Sequence, residues 1–331
     1  MRNLIRYALL LVLITTGAAE AQWTWTPQTG RFVNIKRMPK ETAELQLEYV
    51  RSLMLEGDYR KAMRESDKFM EYYGDDTLAD ENLYLRGEIQ MSRNNLMTAA
   101  KSFQQLIAAH PDTDRYHDAI AKQYEIGDLY YAKGEQLATK RFRLFKKRPY
   151  KRAAEVYTMV VDNQPFTPEA AEAQYKIGLC HYARKEYIDA AFEYQRVVED
   201  YAASEWVNDA SYGLALCYYK ASLPPAYDQT PSELTISSID EFASRYPDDE
   251  RLPELQEKRV KMRESVAQQR LDIARFYEKR REYPAAKLYY EMLANDFADT
   301  EAAKAATEWL NEHDGIKHVG NKYAEGIRSS L

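Results

Sequence analysis

The chain has 331 residues, of which 45% are hydrophobic and 30% charged, with 46 basic against 52 acidic side chains and a net charge of −6. Only 12 glycines and 12 prolines exclude a turn-rich all-β protein, and the acidic balance excludes a generally nucleic-acid-binding surface. The aromatic content is mostly tyrosine, 27 residues against 10 Phe and 4 Trp, a ring with a polar tip that suits wet surfaces and interfaces.

Residues 1–21 read as a signal peptide: Arg2 and Arg6, an apolar run from Ala8 to Ile14, then Ala19-Glu20-Ala21, with cleavage after Ala21. The alternative, an uncleaved anchor, needs about 20 apolar residues to span a bilayer, more than this run supplies. No later segment is long and apolar enough to cross a membrane, so an exported chain is expected. Residues 22–42 form an N-terminal leader in which Trp23-Thr24-Trp25-Thr26-Pro27 gives little helix signal. The indole pair either docks on the fold or belongs to a free leader, and docking is the expected state because exposed Trp pairs are uncommon without a partner.

From residue 43 onward the chain repeats. Ala173-Gln-Tyr175-Lys-Ile177-Gly178-Leu-Cys180-His-Tyr182 superposes on Ala210-Ser-Tyr212-Gly-Leu214-Ala215-Leu-Cys217-Tyr-Tyr219 at an offset of 37. A small residue recurs at Gly87, Gly127, Gly178, Ala215 and Ala274, with Val50 in the same place in the first unit. Downstream of each comes a second signature, as in Gly57-Asp58-Tyr59-x-x-Ala62, Tyr187-x-x-Ala190-x-x-x-Tyr194 and Tyr283-x-x-Ala286-x-x-x-Tyr290. These residues resemble the tetratricopeptide repeat. A small residue lets two helices cross closely, aromatic side chains fill the groove beside it, and Pro111, Pro165 and Pro247 close second helices because proline cannot donate an amide.

The expected architecture is all-α: a right-handed superhelical solenoid of about six helix-turn-helix units near residues 43–76, 80–113, 120–167, 171–204, 208–249 and 267–300. A closing helix ends the repeat domain at residue 313, and 314–331 form a tail. Gly134 and Tyr150 are much further apart than Gly57 and Tyr59, so the third unit carries an insertion, read here as a connection between its two helices. The Ser222 to Pro231 stretch is a loop, and Arg251 to Tyr277 reads as one lengthened helix.

No metal, cofactor or catalytic constellation emerges. His110, His117, His181, His313 and His318 show neither HExxH nor a cysteine partner at ligand spacing, and no phosphate-binding glycine loop is present. Cys180 and His181 are neighbours on a helix and point about 100° apart; Cys180 and Cys217 fit a repeated core position better than a disulfide. No enzymatic activity and no cofactor are therefore expected.

Tyrosines flank the small residue at positions −3 and +4: Tyr124 and Tyr131, Tyr175 and Tyr182, Tyr212 and Tyr219, with Tyr84 at −3 in the second unit. Seven residues is two helical turns, so each pair shares a face. In proteins built of this repeat that face lines a concave groove, where the rings would recognise a peptide; otherwise they fill the junctions between repeats. The inserted segment carries Lys140, Arg141, Arg143, Lys146, Lys147, Arg148, Lys151 and Arg152 without an acidic residue. This local patch suits an anionic membrane surface or an acidic protein, unless it is a solvated loop.

The last repeat, from Leu271-Asp-Ile-Ala274 through Tyr283-Pro-Ala-Ala286 to Phe297-Ala-Asp299-Thr300, resembles that of the outer-membrane protein assembly lipoprotein family BamD, and Asp112-Thr113 and Ala191 to Tyr201 fit its earlier repeats. The resemblance covers about Glu41 to Leu310. It implies a periplasmic, non-enzymatic adaptor at the inner face of the outer membrane, with the barrel-assembly insertase and unfolded outer-membrane proteins as partners and no nucleic acid. The implied client is the apolar, aromatic carboxy-terminal signal of a barrel protein. Gln22 stands where that family carries its lipid-bearing cysteine. The competing reading is a periplasmic repeat protein that coordinates cell-envelope or cell-wall machinery without a role in barrel insertion.

Overall fold

The computed structural model describes residues 23–26, 30–34, 38–139 and 147–316; the signal segment, the cleavage position Ala21 and the tail beyond 316 lie outside them. The described residues form two short strands and 13 helices, an all-α repeat fold after an N-terminal hairpin. Strands β1 (Trp23–Thr26) and β2 (Arg31–Asn34) pair antiparallel, with Trp25 opposite Phe32. The Trp-Thr alternation has the period of a strand, and Gly30 turns the chain with φ 62°. Trp25 remains 53% exposed, which corrects the expectation that this indole would be docked: pairing with β2, not burial, orders the segment.

The helices follow as α1 (Ala43–Leu55), α2 (Tyr59–Tyr73), α3 (Ala79–Ser92), α4 (Leu96–Ala109), α5 (Tyr116–Ala138), α6 (Arg148–Asn163), α7 (Pro168–Ala183), α8 (Tyr187–Asp200), α9 (Val207–Ala221), α10 (Thr230–Arg245), α11 (Leu252–Lys279), α12 (Tyr283–Asp296) and α13 (Glu301–Glu312). The chain divides into two compact units within α5, the first ending at Ile126 and the second beginning at Gly127.

Within each unit one contact recurs. A Cβ added at Gly87 would lie 2.4 Å from the Phe103 ring, at Gly127 2.5 Å from Tyr157, and at Gly178 2.6 Å from Tyr194. The second helix of a pair therefore lays a buried ring directly on the bare backbone of the first. Gly134 makes the same contact with Tyr150. It lies inside α5 and not in a turn, which corrects the insertion reading: part of the extra sequence lengthens the helix, and a second glycine lets the longer helix keep close contact.

Four of the chain reversals within a pair share one chemistry. Gly57, Asn94, Lys185 and Arg281 have φ of 78°, 59°, 65° and 63°. After each, the next amide donates to a carbonyl five residues back, as in Asp58 N to Leu53 O at 2.9 Å and Glu186 N to His181 O at 3.0 Å. This left-handed helix ending is usually a glycine's, and three of the four positions here carry a side chain. Ends of second helices are different: His110, Gln164 and Tyr246 cap α4, α6 and α10 with φ of −135°, −144° and −131°, outside the helical region that a following proline disfavours.

Buried side-chain amides pin helices together. Gln46 Nε2 donates to Glu65 O at 2.8 Å, Asn82 Nδ2 to Ser66 O at 3.3 Å, Gln123 Nε2 to Ala100 O at 3.2 Å and Gln174 Nε2 to Glu193 O at 3.4 Å. In the second unit Arg251 gathers Asp209 (2.7 Å), Asn208 (2.6 Å) and Asp249 (2.9 Å) while its guanidinium lies 4.7 Å from the centre of the Tyr212 ring.

Two substitutions are expected to act in opposite directions. Gly178→Ala gains helix propensity but drives a methyl into Tyr194, and overpacking of this kind costs about 1–3 kcal/mol; Lys185→Gly relieves a left-handed side chain and should stabilise by about 0.5–1 kcal/mol. Urea unfolding followed by circular dichroism checks both signs.

Candidate protein-binding site

The tyrosines singled out by spacing occupy first helices: Tyr84 on α3, Tyr124 and Tyr131 on α5, Tyr175 and Tyr182 on α7, Tyr212 and Tyr219 on α9. They are not equally available. Tyr84 is buried, tilted against Phe103 at 5.5 Å with the Arg115 guanidinium 5.0 Å over its ring. Tyr124 is partly buried, as are the five in the second unit.

In that second unit each ring is braced by the helix it packs on. Tyr131 meets Tyr150 edge-on at 5.6 Å, Tyr182 meets Tyr187 at 5.4 Å, and Tyr175 lies between Tyr194 (5.6 Å) and Trp206 (5.1 Å, stacked). Tyr212 donates its hydroxyl to Glu254 Oε2 at 3.1 Å and lies 6.2 Å from Phe242. Tyr219 has two ammonium groups nearby, Lys258 at 5.4 Å and Lys220 at 6.0 Å from the ring centre. The row is thus both junction filler and partly exposed surface, so the two sequence-level alternatives hold together for the same rings. Burial raises the hydroxyls of Tyr131, Tyr182 and Tyr212, and carries Tyr175 up to about 12. At neutral pH these are neutral donors mounted on apolar plates.

Of the basic segment, Lys140, Arg141, Arg143 and Lys146 lie outside the described residues. Lys147, Arg148 and Lys151 are exposed at the start of α6, and Arg152 lies 5.6 Å over the Tyr130 ring.

Reactive chemistry is weak among the described residues. Cys180 and Cys217 are free, fully buried thiols, each pushed up to about 12 by desolvation. His181 turns instead to Glu186, Nδ1 to Oε2 at 3.0 Å, while Arg184 reaches the other oxygen of that carboxylate at 2.8 Å. His181, Glu186 and Asp189 bring ligand atoms within 4.8 Å of one another. A cation there would compete with Arg184 for Glu186, and the contacts present are those of an ion-paired turn between α7 and α8. No described helix is long and apolar enough to cross a membrane.

A family model of an outer membrane lipoprotein, YfiO, matches residues 132–318, and a tetratricopeptide repeat model matches residues 81–113. The first covers more than half of the chain, which therefore belongs to that outer membrane lipoprotein family. Among solved structures the chain is similar to a tetratricopeptide repeat protein from Parabacteroides merdae, with 17% identity over 81% of this chain and 97% of that one and a TM-score of 0.31. It is also similar to a thermophilic tetratricopeptide repeat protein of Thermus thermophilus (15% identity, 67% and 98% covered, TM-score 0.31), and to PilW, a type IV pilus biogenesis factor (15%, 81% and 99%, TM-score 0.29). No curated protein matches in sequence.

The two thiols give a test of this packing. Their folded values near 12 exceed the unfolded value of about 8.5, so above that pH the unfolded chain releases protons that the folded chain keeps. Their contribution is fully present below about pH 8.5 and is lost progressively as pH rises towards 12. Stability in urea should fall across that window, less steeply in Cys180→Ala/Cys217→Ala, and a thiol reagent at pH 8 should label neither cysteine until the chain unfolds.

Proposed function

We propose that this chain is a non-enzymatic periplasmic adaptor of outer-membrane β-barrel assembly, which holds unfolded outer-membrane protein segments on the tyrosine row of its second unit and docks to the insertase. The observation that carries the proposal is the family match across residues 132–318, the region that holds Tyr175, Tyr182, Tyr212 and Tyr219. The chemistry of the row supports it. Tyrosine offers large contact area at small entropic cost, and braced rings lose still less freedom when a ligand arrives. Neutral hydroxyls and partly exposed ring edges suit an extended segment with aromatic and apolar side chains, and the exposed Lys147, Arg148 and Lys151 suit an anionic headgroup layer or an acidic partner.

Crosslinking in intact cells followed by purification of the chain should recover the barrel-forming insertase and nascent barrel proteins. Recovery of cell-wall synthases without the insertase would instead assign the chain to envelope coordination outside barrel insertion.

For the row itself, Tyr182→Ala with Tyr219→Ala is expected to weaken binding of a peptide ending in Tyr-x-Phe about tenfold, the loss of roughly 1.4 kcal/mol, with helix content unchanged. These two positions are preferred to Tyr175, whose removal would also undo the stack on Trp206. Unchanged affinity would count against the row.

A further inference from the structure

The leader ahead of the helices carries an apolar face. In the hairpin Trp25 lies directly opposite Phe32, so the two rings stand on the same side of the sheet, and they are 53% and 67% exposed. Met38, which leads into α1, is exposed as well. The sheet has two strands among the described residues. A lone two-stranded hairpin is marginally stable in water and needs a layer against one face. Two adjoining exposed rings are the surface such a layer would cover.

Charge indicates what that layer is. Between Glu20 and Glu41 the sequence has no acidic residue, yet it carries Arg31, Lys36, Arg37 and Lys40. In a molecule with 52 acidic against 46 basic side chains, this stretch is a local reversal of sign. Lys40 belongs to the helical unit: its amide donates to Gln46 Oε1 at 2.7 Å, its carbonyl accepts from the Tyr73 hydroxyl at 2.5 Å, and its ammonium lies 4.3 Å over the Tyr49 ring. The base of the leader is thereby fixed to α1 and α2. Aromatic rings beside basic residues are the composition of segments that lie at the headgroup level of an anionic bilayer. A protein strand added to the hairpin would draw on backbone hydrogen bonds and apolar contact, with no need for a uniformly positive leader.

We propose that the β1–β2 hairpin is an interfacial anchor: it seats Trp25 and Phe32 in the headgroup region of an anionic phospholipid bilayer, while the positive charge of the leader draws it to the lipid phosphates. The first helical unit is then held at a membrane surface by a segment that does not span it. The contact is separate from Lys147, Arg148 and Lys151 of α6, and it does not depend on a role in barrel assembly. The lipid result and the crosslinking result can therefore fail independently.

The test is co-sedimentation with vesicles of equal parts phosphatidylglycerol and phosphatidylcholine, beside vesicles of phosphatidylcholine alone. It uses the chain from Gln22 onward, which keeps every described residue and omits the apolar run Ala8 to Ile14, a lipid binder in its own right. The anionic vesicles should be preferred about a hundredfold, three basic residues at about fivefold each, and raised salt should narrow the gap. Arg31→Gln/Lys36→Gln/Arg37→Gln should remove most of that preference. Trp25→Thr/Phe32→Thr keeps strand preference and should weaken binding to anionic vesicles about tenfold, whereas Trp25→Tyr/Phe32→Tyr should retain most of it. Both pairs should leave helix content and the urea midpoint unchanged, since the rings are exposed. Lys147→Gln/Arg148→Gln/Lys151→Gln should bind as the native chain does. No binding to anionic vesicles, equal affinity for the two lipids, full binding by the threonine pair, or a loss confined to the α6 variant would overturn the proposal.

Discussion

The structure depends on one steric fact: a ring from the second helix of a pair rests on backbone that has no side chain. With Phe103 on Gly87, Tyr157 on Gly127 and Tyr194 on Gly178, the helices approach more closely than any Cβ would allow. That distance fixes which face of each first helix points inward. At the Gly127 crossing it also explains the use of tyrosine in place of phenylalanine. Tyr157 threads its hydroxyl past the crossing to Asp128 at 2.6 Å, and Lys176 holds the same carboxylate from α7 at 2.8 Å. The crossing thereby links one helix pair to the next, at little cost in unsatisfied polar groups.

Much of this was legible in the sequence because repeated physical demands leave repeated letters. Small residues at crossings, aromatic residues on second helices and prolines after them are visible as spacing. Three features were hidden for stated reasons. Gly134 looked like a turn glycine because turns and close crossings use the same residue, and only the Tyr150 ring distinguishes them. The strands β1 and β2 are four residues each, too short for an alternation to stand out against a dominant helical period. The burial of Gln46, Asn82, Gln123 and Gln174 leaves no mark in the sequence, since a buried amide is recognisable only from the carbonyl it satisfies. Lys287 belongs with them: it is buried, with its ammonium on the carbonyls of Asp314 and Ile316 at 3.3 and 2.8 Å.

The tyrosine-bearing face was legible in direction but not in depth. A spacing of seven places Tyr175 with Tyr182 and Tyr212 with Tyr219 on one face, yet how far each ring sinks depends on side chains distant in sequence. Tyr84 shows the limit: its position matches the others, but Phe103 and Arg115 close over it. Glu88 shows the converse. Nothing in its local sequence separates it from the other acidic residues of the helices, and it becomes distinctive only once folding half-buries it.

The two units differ in how much their surface side chains contribute to the fold. In the second, the partly exposed tyrosines also hold neighbouring helices, as Tyr175 does between Tyr194 and Trp206. In the first, the exposed Leu55 and the half-buried Glu88, whose carboxyl desolvation holds above its usual range, contribute little or unfavourably to the fold.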